Sequence, residues 1–224
     1  MKAVIFDFDG VIANSEPKHF AALQRVLAEE GIHISLADYY RLYLAYDDKT
    51  AFAVAFRNAS KPMPDIGSLI ERKAHYFNSS ETSIYPDAIR LIHRLSDRYL
   101  LAINSGARRS EIAQVLTKFE LTPFFKVIVS TEDITRCKPD PEGYLLALKQ
   151  LNADYCLNLE PQDCTAIEDS VGGIASAIAA GMKCIAVANT YTIDELASTK
   201  ASLVVSTLDN VTDEVLAHIF GERN

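Results

Sequence analysis

The stretch MKAVIFDFDGV, residues 1–11, decides the fold that we predict for this chain. Its run 3–8 is short and apolar at nearly every position rather than at alternate ones, which is typical of a strand buried on both faces of a sheet. Two carboxylates, Asp7 and Asp9, and then Gly10 end the run. Taken alone, Asp7 and Asp9 are equally well explained as turn residues after a strand, so their meaning depends on the rest of the chain.

Five further apolar runs of the same kind recur along the chain. They cover residues 99–104, 126–130, 164–168, 184–188 and 203–206. The segments between them have the apolar periodicity of helices, and strand alternating with helix predicts parallel pairing with right-handed crossovers. We therefore predict an α/β fold built on a Rossmann-like parallel sheet.

The helices of this α/β part carry recognisable start and stop signals. We predict helices at 86–95 and 109–119. A third helix is opened by Asp140 as N-cap with Pro141 at its first position. A fourth covers 170–180 and is ended by Gly181, and a fifth is begun by a Thr192–Glu195 capping box. In the third of these helices the apolar spacing predicts a buried stripe of Tyr144, Leu145, Leu148 and Leu151.

The connection after the first strand is too long for a simple crossover and has helical patterns of its own. These patterns cover residues 15–30 with Gly31 after them, residues 50–57 and residues 68–78, with a proline-containing break at 60–64. We therefore expect two domains, an α/β core formed by 1–14 and 85–224 and a small helical domain inserted at 15–84.

Composition narrows the possible functions. The chain has 224 residues, 49% of them apolar and 23% charged, as in ordinary globular proteins, and a net charge of −8 without a basic stripe. We expect no nucleic-acid partner, no membrane span and, because no signal peptide is recognisable, a cytoplasmic location. The four cysteines and five histidines show no zinc-binding spacing, so we expect reduced thiols and no zinc.

Polar residues stand where the apolar runs end, which is where open α/β sheets bind their ligands. The set comprises Asp7 and Asp9 after the first run, Ser105 and Gly106 after the second, Glu168 and Asp169 after the fourth, and Lys138 in the loop before residue 140. Four converging carboxylates repel one another unless a cation is present, and their hard oxygens suit Mg²⁺. The hydroxyl, the backbone N–H groups and the lysine suit phosphoryl oxygens, and a carboxylate can serve as nucleophile.

The same residues carry a resemblance to a known family. DFDGV, Ser105 in INSGA, Lys138 in CKPDP and IEDSVGGI resemble, in order, the four motifs of the haloacid dehalogenase-like (HAD) hydrolases. The insert is similar to their C1-type cap, and the whole resembles the β-phosphoglucomutase and phosphoglycolate phosphatase subgroup. The resemblance implies Asp7 as nucleophile, Asp9 as general acid and base, and Ser105, Gly106 and Lys138 as phosphate-holding residues. It also implies Mg²⁺ bound by Asp7, the backbone carbonyl of Asp9 and Asp169, with Glu168 close by or ligating.

Within this family, Asp9 indicates phosphoryl transfer, because a halide leaving group needs no proton. We expect a Mg²⁺-dependent phosphatase that acts through an aspartyl-phosphate on a small phosphorylated metabolite, such as a sugar phosphate. A mutase similar to β-phosphoglucomutase is the alternative, since His19 stands where that enzyme has a cap-hinge histidine. Its motif-two pattern and cap-loop arginine are missing from 105–109 and 44–49, which favours the phosphatase. By position alone, 43–49 is our candidate for substrate specificity.

A receiver-type phospho-acceptor switch is the alternative from another functional class. Receivers also combine aspartates, Mg²⁺, a hydroxyl residue and a lysine on a doubly wound sheet. They have no inserted domain, however, and their lysine follows the acidic residues, whereas Lys138 precedes Glu168 and Asp169. We expect the chain to be a monomer or a weak homodimer.

Overall fold

The computed structural model describes residues 2–44, 46, 48–78 and 82–221. The chain divides into two compact units. We call Met1–Asn14 together with Ser83–Asn224 the core unit, and Ser15–Thr82 the insert unit. The second boundary falls just before residues 83 and 84, because these pair with Ala13 and Asn14 in the core unit.

The strands form one parallel sheet and one small antiparallel pair. They are β1 (Ala3–Phe6), β2 (Ala13–Asn14), β3 (Ser83–Ile84), β4 (Leu100–Asn104), β5 (Phe125–Val129), β6 (Cys164–Glu168), β7 (Lys183–Val187) and β8 (Leu203–Val205). The large sheet has the order β5-β4-β1-β6-β7-β8, and all its neighbours are parallel. The predicted α/β fold with a Rossmann-like parallel sheet is confirmed.

The helices complete the two units. The insert unit contains α1 (Glu16–Glu29), α2 (Leu36–Leu42), α3 (Asp48–Asn58) and α4 (Ile66–Asn78). The core unit contains α5 (Pro86–Ser96), α6 (Arg109–Lys118), α7 (Glu142–Tyr155), α8 (Val171–Ala179), α9 (Ile193–Ala197) and α10 (Asp213–Ile219). Within the described part of the chain, no helix has both the length and the apolar character needed to cross a membrane.

The first strand ends earlier than the sequence predicts, at Phe6 rather than at residue 8. The chain turns directly afterwards, because Phe8 accepts backbone hydrogen bonds from Ile12 and Ala13 and because Gly10 adopts a positive φ of 75°. Such a φ is open to glycine at little cost. The turn takes Asp9 out of the strand, whereas Asp7 still donates its N–H to Ile167 at 2.9 Å.

Side-chain alternation along β1 sorts its residues between two apolar clusters, one on each face of the sheet. Val4, Phe6 and Phe8 belong to the cluster that contains residues of α5, α6 and α10. Ala3 and Ile5 belong to the cluster that contains residues of α7, α8 and α9. Phe8 is therefore buried in the core, and the alternation directs the side chain of Asp7 to the opposite face.

Helix α7 differs from the prediction at two points. It begins at Glu142, with Pro141 in the N-cap position, so the assignment of Asp140 as N-cap and Pro141 as first residue is wrong by one position. The carboxylate of Asp140 instead accepts the N–H of Glu142 at 3.0 Å. Leu145, predicted to be buried, is 42% exposed, because it lies about 100° around the helix from Tyr144.

The insert unit has its own apolar core and one helix that the sequence analysis missed. Its four helices pack around a cluster that includes Leu23, Leu27, Phe52, Phe56 and Leu69. The missed helix is α2, whose start is marked by a capping box between Ser35 and Asp38. It is short and rich in tyrosine, so its periodicity is weak, but the Ser-x-x-Asp cap was present in the sequence.

A partly buried polar cluster lies inside the insert unit. Lys73 is only 6% exposed; its Nζ donates to the Asp48 carboxylate and lies 3.4 Å from Nδ1 of His19. The His19 ring packs on Phe77 with centroids 4.4 Å apart. Burial and the charge of Lys73 lower the pKa of His19 from 6.5 to about 4, so the ring is neutral at neutral pH.

This shifted titration predicts how stability depends on pH. The unfolded chain protonates His19 near its ordinary value of 6.5 and the folded chain only near 4, so the unfolded state binds more protons between these values. The free energy of unfolding should therefore fall as the pH falls through this window. In His19→Gln, urea titrations at about pH 8 and about pH 5 should show a smaller fall than in the wild type. An equal fall in both proteins would contradict the assigned burial of His19.

Candidate active site

Polar side chains line the carboxyl end of the central strands. Phe6 pairs with Ile103 on one side and with Ile167 on the other, so the next residues, Asp7, Asn104 and Glu168, come level with one another. All three are buried. Side-chain alternation directs them toward α7 and α8 rather than toward α5 and α6.

Lys138 joins these three strand ends. Its Nζ donates to Oδ1 of Asp7 at 2.8 Å, to Oε1 of Glu168 at 2.7 Å and to the backbone oxygen of Asn104 at 3.1 Å. Burial acts to lower the pKa of Lys138, but attraction to Asp7 and Glu168 outweighs it and raises the pKa above the ordinary lysine value. Lys138 is therefore permanently positively charged at the carboxyl end of the central strands.

Three carboxylates surround a small space beside Lys138. Asp7, Glu168 and Asp169 each present an oxygen, and these oxygens lie within 4.8 Å of one another. Burial, with added repulsion from Glu168 and Asp9, raises the pKa of Asp7 to about 7 despite Lys138. Burial and the charges of Asp7 and Glu168 also raise the pKa of Asp169 well above its ordinary value. One lysine therefore does not balance the cluster.

This charge imbalance fits a divalent cation. Buried carboxylate oxygens are the hard ligands that Mg²⁺ prefers, and a cation among them would return Asp7 and Asp169 to their ionised forms. Asp7 and Asp169 are the residues best suited to hold it. Oε1 of Glu168 already accepts hydrogen bonds from Lys138 and from the Tyr144 hydroxyl at 2.6 Å. Within the described residues the Asp9 carboxylate is not part of the cluster. The family resemblance implies that Asp9 would contribute its backbone carbonyl instead.

The helix that follows β6 makes room for Glu168. A Cβ on Gly173, in the first turn of α8, would lie 1.9 Å from Oε2 of Glu168. The hydroxyl of Ser170 donates to that oxygen at 3.3 Å and also accepts the N–H of Gly173 at 3.0 Å as the helix cap. The sequence IEDSVGGI thus contains both the acidic pair and the glycine that lets one of them stay buried.

The expected phosphate-holding residues lie around one cavity. Ser105 is 1% exposed, and its hydroxyl accepts the N–H of Ala107 at 3.0 Å. Gly106 is exposed, and no atom lies within 4 Å of the place where its Cβ would be. With Lys138 these residues line a cavity of about 110 Å³. The structure therefore brings together Ser105, Gly106 and Lys138.

Several residues at this end of the sheet were not predicted as site residues from the sequence. Tyr144 was predicted only to be buried, yet its hydroxyl donates to Glu168. Asn104 is buried with its Nδ2 unpartnered, in space left by Gly143, where a Cβ would lie 2.1 Å from Oδ1 of Asn104. Thr190, after β7, donates to the Asp169 carboxylate. The position of Thr190 shortly after the run 184–188 is a signal of the same kind as the polar residues after the first, second and fourth runs.

The predicted specificity stretch 43–49 receives little support. Ala45 and Asp47 lie outside the described residues. Tyr43 is 4% exposed and packs in the apolar cluster of the insert unit, so it is a packing residue. Tyr46 is 48% exposed and remains accessible to a ligand.

Comparison with known proteins gives consistent matches. The sequence model of a family described as haloacid dehalogenase-like hydrolase matches residues 4–187. Hexitol phosphatase A of Escherichia coli (strain K12) is 28% identical over 94% of this chain and 93% of its own length. Beta-phosphoglucomutase of Bacillus subtilis (strain 168) is 26% identical over 84% of this chain and 83% of its own.

A solved structure supports the same assignment. It is a conserved haloacid dehalogenase-like protein of unknown function from Agrobacterium tumefaciens str. C58. The two chains align with a TM-score of 0.83 and 27% identity, over 97% of this chain and 99% of the other.

The contact between Gly173 and Glu168 generates a stability prediction with a neighbouring control. Gly173→Ala should lower the free energy of unfolding by about 1–3 kcal/mol, because the methyl group would overlap a buried carboxylate. Gly172→Ala lies in the same helical turn with no atom within 4 Å of its Cβ position, and it should leave stability near the wild-type value. Urea denaturation of both variants measures the difference. Equal destabilisation would contradict the packing described for Glu168.

The raised carboxylate pKa values generate a second prediction. In the Mg²⁺-free protein Asp7 titrates at about 7 rather than at the ordinary 3.8, so the folded state binds more protons between these values. Without Mg²⁺, this group's contribution to the free energy of unfolding should fall as the pH rises through that window. A cation competes with these protons, so the rise in Tm on adding Mg²⁺ should be larger at about pH 8 than at about pH 5.5. Differential scanning fluorimetry after EDTA treatment measures it, and a pH-independent rise would contradict a cation at Asp7.

Proposed function

This chain is a phosphoric monoester hydrolase of the haloacid dehalogenase-like hydrolase family, and we propose that it hydrolyses a small phosphorylated metabolite with Mg²⁺ through an aspartyl-phosphate at Asp7. The observation that carries the proposal is the buried cluster of Asp7, Glu168 and Asp169, of which Asp7 and Glu168 bind the ammonium group of Lys138. Such a cluster is electrostatically unfavourable without a cation and is suited to a phosphoryl group once one is bound.

In the first half of the reaction, an oxygen of the ionised Asp7 carboxylate attacks phosphorus and the phosphorus–oxygen bond to the substrate alcohol breaks. The leaving alkoxide takes the proton of the Asp9 carboxyl, so a neutral alcohol is released. Ser105, the N–H of Gly106 and Lys138 bind the phosphoryl oxygens. When bound, Mg²⁺ supplies positive charge that offsets the phosphoryl charge during the transfer.

In the second half, the Asp9 carboxylate takes a proton from water as the water oxygen attacks phosphorus. The bond between phosphorus and the Asp7 oxygen breaks, inorganic phosphate leaves, and Asp7 and Asp9 return to their starting protonation states. Lys138 has a role throughout, because its contact with Oδ1 of Asp7 favours the ionised and therefore nucleophilic form of that carboxylate.

The substrate class rests on the relatives and on the sequence. Hexitol phosphatase A supports a sugar phosphate or a similar phosphomonoester as substrate. The relation to Beta-phosphoglucomutase keeps a phosphosugar mutase as the alternative outcome of the substrate screen below. The receiver-type switch is set aside, because the chain belongs to a hydrolase family. The C1-type cap role of residues 15–84, the cytoplasmic location and the monomeric or weakly dimeric state stay predictions.

A substrate screen tests the phosphatase directly. Purified protein should release inorganic phosphate from one or more sugar phosphates when Mg²⁺ is present, and the rate should collapse when EDTA removes it. The screen includes β-glucose 1-phosphate with a coupled assay for glucose 6-phosphate. Formation of glucose 6-phosphate without phosphate release would replace the phosphatase with the mutase.

Two carboxamide variants separate the proposed roles of the two aspartates. Asp7→Asn should lower kcat by more than about 10²–10⁴-fold, the range for loss of an acid or base group, because it removes the nucleophile itself. Asp9→Asn should slow both halves of the reaction, but with p-nitrophenyl phosphate, whose leaving phenolate needs no proton, it should still accept a phosphoryl group and release it slowly, so phosphoenzyme accumulates in a rapid-quench experiment. Asp154→Asn, at an exposed site on α7, is the matched control and should keep wild-type turnover. Retention of more than a few per cent of activity in Asp7→Asn would exclude the mechanism.

A further inference from the structure

The loop after β7 contacts two separate parts of the candidate site. The hydroxyl of Thr190 donates to Oδ2 of Asp169, one of the three clustered carboxylates. The side-chain Nδ2 of the preceding residue, Asn189, donates to the backbone oxygen of Gly10 at 2.8 Å. Neither residue belongs to the four motifs on which the family resemblance rests.

Gly10, Asp169 and Thr190 share one small space. A Cβ on Gly10 would lie 1.8 Å from Oδ2 of Asp169 and 2.8 Å from Oγ1 of Thr190. The positive φ of Gly10 and this close approach both require glycine. The turn after β1 is therefore packed directly against the carboxylate and the hydroxyl that contacts it.

The Thr190 contact distinguishes the two oxygens of Asp169. Asp169 is 4% exposed, and its Oδ2 is occupied by the Thr190 hydroxyl. This hydrogen bond fixes the rotation of the carboxylate and leaves Oδ1 for a cation. Hydrogen bonds of this kind orient the ligands of metal sites generally, and their loss weakens metal binding.

The Asn189 hydrogen bond holds the backbone of the turn after β1 in place. The N–H of Gly10 donates to the oxygen of Ala13 at 2.8 Å, which fixes the peptide plane that also contains the Asp9 carbonyl. The oxygen of Gly10 belongs to the next peptide group, and Asn189 binds it. Both peptide groups of Gly10 are thus held, so the direction of the Asp9 carbonyl is set before any ligand arrives.

We propose that Asn189 and Thr190 are positioning residues of the cation site, Thr190 by orienting the Asp169 carboxylate and Asn189 by holding the turn that presents the Asp9 carbonyl. This inference rests on the proposed function, because it assigns the cation to Asp169 and Asp9. Neither residue exchanges protons with the substrate. Their effect is on Mg²⁺ affinity.

Calorimetric titration of Mg²⁺ without substrate tests the role of Thr190. Thr190→Val keeps the shape of the side chain but removes the donor, and it should weaken Mg²⁺ binding by about 10–100-fold. Thr190→Ser keeps the donor and should bind Mg²⁺ nearly as tightly as the wild type. Thr192→Val is the matched control in the same loop, since the Thr192 hydroxyl caps α9 through Glu195 and does not contact the site. It should lower Tm without changing Mg²⁺ affinity.

Asn189→Ala extends the test to the backbone contact. It should also weaken Mg²⁺ binding, and in turnover assays both Asn189→Ala and Thr190→Val should raise the Mg²⁺ concentration that gives half-maximal rate. At saturating Mg²⁺ the KM for the substrate should stay near the wild-type value. A purely structural role would lower Tm and leave the Mg²⁺ dependence unchanged.

The outcomes separate this inference from the proposed function. If the wild type binds Mg²⁺ and Thr190→Val binds it equally well, the positioning role is overturned and the proposed function stands. If Thr192→Val weakens Mg²⁺ binding as much as Thr190→Val, the effect comes from the folding of the loop, and the positioning role is again overturned. If the wild type binds no Mg²⁺ without substrate, the positioning role is overturned, and the proposed function falls as well only if the substrate screen shows no Mg²⁺-dependent phosphate release.

Discussion

Repulsion among three buried carboxylates is the constraint that governs the arrangement of side chains at the carboxyl end of this sheet. Asp7, Glu168 and Asp169 approach within 4.8 Å, and burial strengthens every charge interaction among them. Lys138 offsets part of that repulsion through direct contacts with Asp7 and Glu168. Other contacts, such as the Tyr144 hydroxyl on Glu168, hold the negative groups in place. The carboxyl end of the sheet is therefore suited to a further positive charge, such as that of a divalent cation.

The apolar packing of the sheet explains why the fold tolerates so unfavourable a site. The large apolar clusters on the two faces of the sheet are continuous and do not include the carboxylates. Their burial contributes stability that offsets the electrostatic repulsion among the carboxylates. Proteins commonly tolerate such local destabilisation at functional sites. The raised pKa values of Asp7 and Asp169 reflect their burial and the repulsion from neighbouring carboxylates. A bound cation would offset that repulsion.

Apolar patterning was sufficient to predict the sheet, because strands such as Cys164–Glu168 are buried on both faces and need no long-range information to be recognised. The early end of β1 was missed because Phe8 is buried like a strand residue although β1 ends at Phe6 and the chain turns at Gly10. Leu145 was misassigned because a run of leucines hides the true helical face. The motif residues of the candidate site were visible in the sequence, whereas Thr190 and Tyr144 act through hydrogen bonds between segments far apart in the chain.

The most direct test of the central claim is to find where the phosphoryl group goes. Enzyme mixed with an excess of a turned-over phosphate ester is quenched in acid within the turnover time, digested and analysed by tandem mass spectrometry. The account predicts one added phosphoryl group on the peptide that contains Asp7, with fragmentation placing it on Asp7. Turnover without any phosphorylated peptide, or with the phosphoryl group on another residue, would contradict it.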